Sequence, residues 1–335
     1  MLARALKDLP KLPSDWRPKV LITHPDFPQA GLDILQKQCD IIQAKGFPEP
    51  TQKEIHDLSR GVDAIVWACH GKINIELLEA AGPQLKCIAT ISSGINHIDL
   101  AEVKKRKILL GHTPTVVNDA VADTAVGLMI AAGRRFHEGQ LQIAESKWVF
   151  RPQWLLGVDI RGSTVGIIGL GGIGQAIIER LSGFKVEKFL YTGHKPKPEG
   201  EDLEASFVSF DELLTKSDYV IISCPLTPET MHLINREALA KMKPTSVLIN
   251  IARGEIIDQE ALLEALQKNQ IFAAGLDVMT PEPLPADHPL LKLPNCFIIP
   301  HVGTATLQTR NDMASLAALN ILQGLAGVPM FSPVL

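Results

Sequence analysis

Short runs rich in Val and Ile alternate with helix-patterned stretches along almost the whole chain, and this rhythm restricts the fold more than any other feature of the sequence. Lys19-Val20-Leu21-Ile22-Thr23 reads as a first strand. Ala64-Ile65-Val66-Trp67 and Cys87-Ile88-Ala89-Thr90 read as later strands of the same sheet, with a helix over residues 75–81 between them. Residues 118–132 form a long helical pattern that Gly133 would end as a C-cap. A segment around Trp148, Pro152, Trp154 and Gly157 breaks the alternation. It then restarts through Val165-Gly166-Ile167-Ile168, Phe189-Leu190-Tyr191, Tyr219-Val220-Ile221-Ile222, Val247-Leu248-Ile249, Ala273-Ala274-Gly275-Leu276 and Phe297-Ile298-Ile299-Pro300. Ser209 followed by Glu212 is a capping box ahead of one intervening helix, and a last helix covers residues 306–324. The class is α/β, with two doubly wound parallel-sheet units.

A length of 335 residues suits two domains of ordinary size. The net charge of −4, with no basic stripe, argues against a nucleic-acid partner. No apolar run reaches the roughly 18 residues that a membrane helix needs. Cys39, Cys69, Cys87, Cys224 and Cys296 are odd in number, scattered and free of any CxxC pair. They suggest neither a disulfide framework nor a metal site, and they fit a reducing, cytoplasmic compartment. Residues 1–18 interleave Arg4, Lys7, Lys11 and Arg17 with leucines. They read as a disordered or surface-lying arm, with a mitochondrial transit peptide as the alternative that Asp8, Asp15 and three prolines oppose.

Gly169-Leu170-Gly171-Gly172-Ile173-Gly174 is a GxGxxG loop. Such a loop alone says little, but this one follows a strand and opens a helix whose inner face would be Ile173, Ile177 and Leu181. Gly169 makes the turn, Gly171 lets backbone approach a pyrophosphate, and Gly174 lets helix and strand pack closely. N–H groups around Gly172 and Ile173 can hold phosphates. The next strand ends Tyr191-Thr192-Gly193-His194-Lys195-Pro196-Lys197, without the carboxylate that would bind a ribose 2′-hydroxyl. A hydroxyl and basic groups there suit a 2′-phosphate, so NADPH is the expected cofactor and NADH the alternative.

Three more segments each put a chemically capable residue past a strand end, where open α/β sheets bind ligands. They are Arg253 in Asn250-Ile251-Ala252-Arg253-Gly254, Glu282 between Pro281 and Pro283, and His301 in Pro300-His301-Val302-Gly303. Reduction of a keto acid needs a hydride and a proton. His301 can donate the proton. Glu282 can hold the other ring nitrogen and favour the imidazolium, and Arg253 can fork onto carboxylate and carbonyl.

The ordered Arg, Glu and His segments downstream of a GxGxxG unit resemble the D-2-hydroxyacid dehydrogenases, and within them the glyoxylate/hydroxypyruvate reductase branch. The similarity runs over about residues 19–330. It implies a Rossmann-type cofactor domain (119–299) inserted into a discontinuous, flavodoxin-like substrate domain (19–118 and 300–335), with 1–18 as an arm. It implies that backbone N–H groups of the loop Ser92-Ser93-Gly94-Ile95 bind the substrate carboxylate, and that Asp277 holds the nicotinamide carboxamide. Pro225, Thr230, Ile251 and Gly303 would line the cofactor. It also implies a homodimer in which Trp154 reaches the partner's pocket.

Some positions depart from that pattern. Gly172 replaces a usual arginine, His194 stands where NADPH-preferring members carry arginine, and Asp123 replaces a usual Glu. The edge Ala68-Cys69-His70-Gly71 is more polar than the resemblance predicts. His24, His97, His112 and His288 lack supporting constellations and read as surface or satisfied structural residues. The expected activity is NADPH-dependent reduction of glyoxylate and hydroxypyruvate. The alternatives are an NAD-dependent D-2-hydroxyacid dehydrogenase of another substrate, or a nucleotide-sensing, corepressor-like scaffold.

Overall fold

The structure is a computed structural model that describes residues 2–334. The chain divides into two compact units, residues 1–117 with 305–335, and residues 118–304.

In the first unit, β1 (Lys19–Ile22), β2 (Asp40–Gln43), β3 (Ala64–Trp67), β4 (Cys87–Thr90) and β5 (Leu109–Gly111) form a parallel sheet ordered β2-β1-β3-β4-β5. Successive side chains of a strand point to opposite faces, and here both faces are covered. Val20, Ile22, Val66 and Ala89 pack with Ala314, Ala317, Ile321 and Leu322 of the helix Leu307–Ala326. Leu21, Ile65, Trp67 and Ile88 pack with Ile55, Leu77 and Leu78 on the other side. That is why the central strands are unbroken apolar runs, and each buried Val, Leu or Ile among them contributes about 1.5–3 kcal/mol. The Leu307–Ala326 helix starts at Thr306, whose hydroxyl accepts from the Thr309 N–H. It ends at Gly327 in the left-handed conformation.

The N-terminal arm lies on this unit. Leu9, Leu12 and Trp16 pack against its core, and the Gln38 amide accepts from the Leu12 N–H and donates to the Pro10 carbonyl. The Lys86 ammonium sits 3.8 Å from the centre of the Trp16 ring.

In the second unit, β6 (Thr164–Ile168), β7 (Lys188–Thr192), β8 (Ala205–Phe207), β9 (Tyr219–Ile222), β10 (Val247–Asn250), β11 (Ala273–Leu276) and β12 (Cys296–Ile298) form a parallel sheet ordered β12-β11-β10-β9-β6-β7-β8. The chain starts at β6, runs outward through β8, crosses back to β9 and then runs the other way. The reversal between β6 and β9 is the topological switch point, where such sheets bind ligands.

Gly133 does not cap the helix Asn118–Gly133 in the left-handed conformation. It is the last helical residue, and a Cβ there would meet the Tyr219 hydroxyl at 2.6 Å. Its smallness serves close packing, not a turn. Ser209 accepts from the Glu212 N–H at 3.2 Å, as its spacing predicts. Among the described residues no helix is long and apolar enough to cross a membrane, and the five cysteines are free.

Candidate active site

Each chemically capable side chain of the second unit sits just past a strand end. Gly169 follows β6 with φ +98°, and a Cβ there would lie 2.9 Å from the Cys224 backbone. Only glycine satisfies both demands. Gly171 precedes the helix Gly172–Leu181 and has open space where a Cβ would stand, so its backbone is left uncovered. At Gly174 a Cβ would meet the Gly169 carbonyl oxygen at 2.5 Å, which is the close helix–strand approach the motif requires. Gly172 has a local reason as well, because any side chain there would run into Asn118. Ile177 and Leu181 are buried on the helix's inner face, whereas Ile173, in the first turn, is only half-buried. These glycines and the free helix start fit a dinucleotide pyrophosphate.

At the end of β7, Thr192 is buried and its carbonyl accepts from the Gly169 N–H at 3.0 Å, tying the two loops together. His194 and Lys195 are exposed and Lys197 is half-buried. One carboxylate near them escaped the sequence reading. Glu229, hydrogen-bonded by Thr227 and attracted by His194, titrates below the ordinary glutamate range. Pro225 and Thr230 belong to one turn after β9, where the Thr230 hydroxyl donates to the Pro225 carbonyl at 2.7 Å and accepts from the Thr227 N–H at 2.8 Å.

Arg253, Glu282 and His301 follow β10, β11 and β12, which are neighbours in the sheet. Past β10, the wholly buried Asn250 accepts from the Ala252 N–H at 3.0 Å and donates to the Arg253 carbonyl at 2.9 Å. Its amide closes the turn that carries Ile251 and Arg253. A polar residue ending an apolar strand was the signal for this role. Burial pulls the Arg253 guanidinium down, with Glu282 and Glu255 opposing it, and an arginine stays charged throughout.

Past β11, Asp277 is buried and its two carboxylate oxygens accept from Val302 at 2.7 Å and Gly303 at 3.0 Å. Its carbonyl accepts from the His301 N–H at 2.8 Å. Burial raises this carboxyl, and the two N–H bonds and His301 only partly offset it. His301 is thereby held at φ +53°, a conformation rare outside glycine.

The His301 Nδ1 lies 2.8 Å from Glu282 Oε2, and Glu282 Oε1 accepts from the Met279 N–H at 3.0 Å. Burial works to raise the Glu282 carboxyl. The hydrogen bonds from His301 and Met279, with the charges of His301 and Arg253, outweigh it, so the group titrates below its ordinary range. With Nδ1 engaged, Nε2 is the ring nitrogen left to face a substrate.

In the first unit, the loop after β4 is braced from three sides. Thr113 N–H donates to the Ser92 carbonyl at 2.9 Å, His112 Nδ1 lies 3.0 Å from the Ser93 carbonyl, and the Ser92 hydroxyl donates to the Gly94 carbonyl at 2.7 Å. Among the described residues the Ser93 and Gly94 N–H groups have no partner. At the polar edge, the Cys69 thiol donates to the Thr23 carbonyl and burial pushes it up to about 11. The His70 side chain is 84% exposed, so it faces water. His24 and His112 are engaged with backbone, as structural histidines. Asp123 and Asp119 both pair with Arg180. Trp154 is half-buried in the irregular segment after the helix Phe136–Ala144. No cluster of metal-ligating groups occurs among the described residues.

Residues 126–303 match the model of the D-isomer specific 2-hydroxyacid dehydrogenase NAD-binding domain. The chain belongs to the D-isomer specific 2-hydroxyacid dehydrogenases. It is 46% identical over 316 residues to a glyoxylate reductase/hydroxypyruvate reductase of Homo sapiens, covering 93% of this chain and 96% of that one. The counterpart of the same name in Mus musculus is 44% identical over the same shares. An NADPH-dependent glyoxylate/hydroxypyruvate reductase of Sinorhizobium meliloti, solved with NADP and malonate, superposes with a TM-score of 0.82 at 30% identity, over 95% of this chain and 97% of that one. The dehydrogenase family is one of oxidoreductases, and its dinucleotide-binding domain accounts for the second unit.

The Glu282 carboxyl also makes a prediction for stability. A carboxyl held below its unfolded value stabilises the fold above the ordinary glutamate range, and that contribution is lost as pH falls through the folded value. The fall in denaturant midpoint between about pH 5 and pH 3 is therefore expected to be smaller in Glu282→Gln than in wild type. Equal falls would show that the His301–Glu282 bond adds nothing to stability.

Proposed function

We propose that this dehydrogenase reduces short 2-keto acids, glyoxylate and hydroxypyruvate, to glycolate and D-glycerate, with NADPH favoured over NADH. The observation that carries the reading is the 2.8 Å Glu282–His301 pair, set on strand ends neighbouring that of Arg253. The names of the similar reductases support the substrate class.

The dinucleotide, when bound, supplies the hydride that the keto carbon accepts. Gly171, Gly172 and Ile173 would hold its phosphates through backbone N–H groups and the helix start, while Gly169 makes the turn and Gly174 allows the close helix–strand packing. Thr192, His194 and Lys195 receive the 2′-phosphate. Pro225, Thr230, Ile251 and Gly303 line its remainder. Asp277 still has lone pairs to accept from a carboxamide, because each carboxylate oxygen can take two hydrogen bonds.

Arg253 polarises the carbonyl oxygen and fixes the substrate carboxylate. His301 gives its Nε2 proton to the oxygen as the carbon gains the hydride, and solvent later restores that proton. Glu282, 2.8 Å from Nδ1, fixes the ring orientation for the transfer. The product is a 2-hydroxy acid.

The same reading includes a homodimer. Phe136, Ile143, Trp148, Val149, Phe150 and Leu156 lie exposed within twenty-one consecutive residues, Phe150 at 99%. So many exposed apolar side chains in one stretch suit an association surface, and Trp154 lies in the same stretch to reach a partner's pocket. Light scattering should give the mass of two chains, and a stable single-chain mass would remove the dimer.

His301→Ala should leave cofactor affinity intact and lower kcat by roughly 100-fold or more, the usual size for a general acid. Near-normal turnover would take His301 out of this role. Thr192→Asp should shift preference toward NADH through repulsion of the 2′-phosphate, and an unchanged preference would locate the selectivity elsewhere.

A further inference from the structure

Gln259 is the first residue of the helix Gln259–Gln267 and stands six positions after Arg253. At that position the helix makes no demand on the side chain. Asp258 is the N-cap, and it accepts from the Ala261 N–H at 3.1 Å. The Gln259 side chain instead reaches the loop that carries Glu282. Its Oε1 accepts from the Thr280 N–H at 2.9 Å, and its Nε2 donates to the Thr280 carbonyl. One planar amide thus satisfies both backbone groups of a single residue, as a neighbouring strand would.

The loop beyond that anchor closes on itself. The Met279 N–H donates to Glu282 Oε1 at 3.0 Å, while Glu282 Oε2 takes His301 Nδ1 at 2.8 Å. Thr280 lies between Met279 and Glu282, so fixing its backbone fixes the carboxylate. Gly254 packs against the Met279 backbone and leaves no room for a side chain, which brings the turn after Arg253 onto the same loop. The pattern repeats across the site: the Asn250 amide braces the turn bearing Arg253, and the Asp277 carboxylate braces the tip bearing His301.

We infer that Gln259 is a positioning residue for proton donation, its amide clamping Thr280 so that the Glu282 carboxylate meets the His301 ring. The inference rests on the reading that the Glu282–His301 pair delivers the proton. Gln259 also lies 3.3 Å from His288 Nε2, and its effect on the proton donor is exerted through Thr280 and Glu282.

The test is Gln259→Ala, with Gln259→Met as a variant of similar length that also removes both hydrogen bonds. Steady-state rates are measured against pH, with glyoxylate, in the wild-type and Glu282→Gln backgrounds. The expected result is a roughly 10- to 100-fold loss of kcat, the scale of a small misplacement, with KM for the keto acid little changed. The alkaline limb of the profile should move in the same direction as it does in Glu282→Gln. Added to Glu282→Gln, the Gln259 substitution should cost almost nothing further. The same fold loss in both backgrounds, or a loss with an unmoved limb, would overturn the inference. The His301 imidazole followed by nitrogen-15 NMR needs no turnover and separates the clamp from the substrate assignment. A titration that moves in Gln259→Ala supports the clamp even if glyoxylate is not the substrate, and an unmoved titration contradicts it.

Discussion

The Asp277 carboxylate sits at the end of a buried strand, and both of its oxygens are taken by consecutive N–H groups of the segment bearing His301. Burying a charge is costly unless hydrogen bonds compensate it, and here burial raises the carboxyl despite those two bonds. What the arrangement secures is His301 in a left-handed backbone conformation that an imidazole-bearing residue does not adopt freely. The orientation of the ring toward Glu282, and of Nε2 away from it, follows from that tip. Gly303 belongs to the same constraint, since a Cβ there would lie 2.7 Å from Asp277 Oδ2.

Topology does the rest of the positioning. Because every strand of the seven-stranded sheet is parallel, all its carboxyl ends emerge on one side. The glycine loop of residues 169–174 follows β6 at the switch point, and the Arg253, Glu282 and His301 segments follow three adjacent strands. Residues separated by long stretches of sequence therefore share one edge without any long loop having to be ordered. Side-chain amides and a carboxylate then fix each loop locally, which is how precise geometry can be held on connecting segments.

The parts of the fold legible in the sequence were those whose burial writes a pattern. Central strands such as Ala64–Trp67 and Tyr219–Ile222 are covered on both faces and stand out as apolar runs. The strands Asp40–Gln43, Leu109–Gly111 and Ala205–Phe207 went unread. All three lie at sheet edges, are short, and carry exposed residues that break the run. Gly133 misled for a related reason: a glycine at a helix end normally signals a left-handed cap, whereas this one makes room for Tyr219. At the site, Arg253, Glu282 and His301 were legible because their chemistry is unusual at strand ends. Asn250 was marked only by being a polar residue at the end of an apolar strand; Gln259 was not legible, because an amide that braces backbone has no spacing rule to betray it, and Glu229 comes near His194 only through the fold.

The central claim is that these strand ends carry out reduction of a short 2-keto acid with a phosphorylated dinucleotide. The most direct measurement is kcat/KM for hydroxypyruvate and for glyoxylate, each with NADPH and with NADH. The account predicts turnover of both acids with NADPH favoured. Turnover favouring NADH would contradict the role given to Thr192, His194 and Lys195. No turnover with either cofactor, by a protein that binds the cofactor, would contradict the substrate assignment.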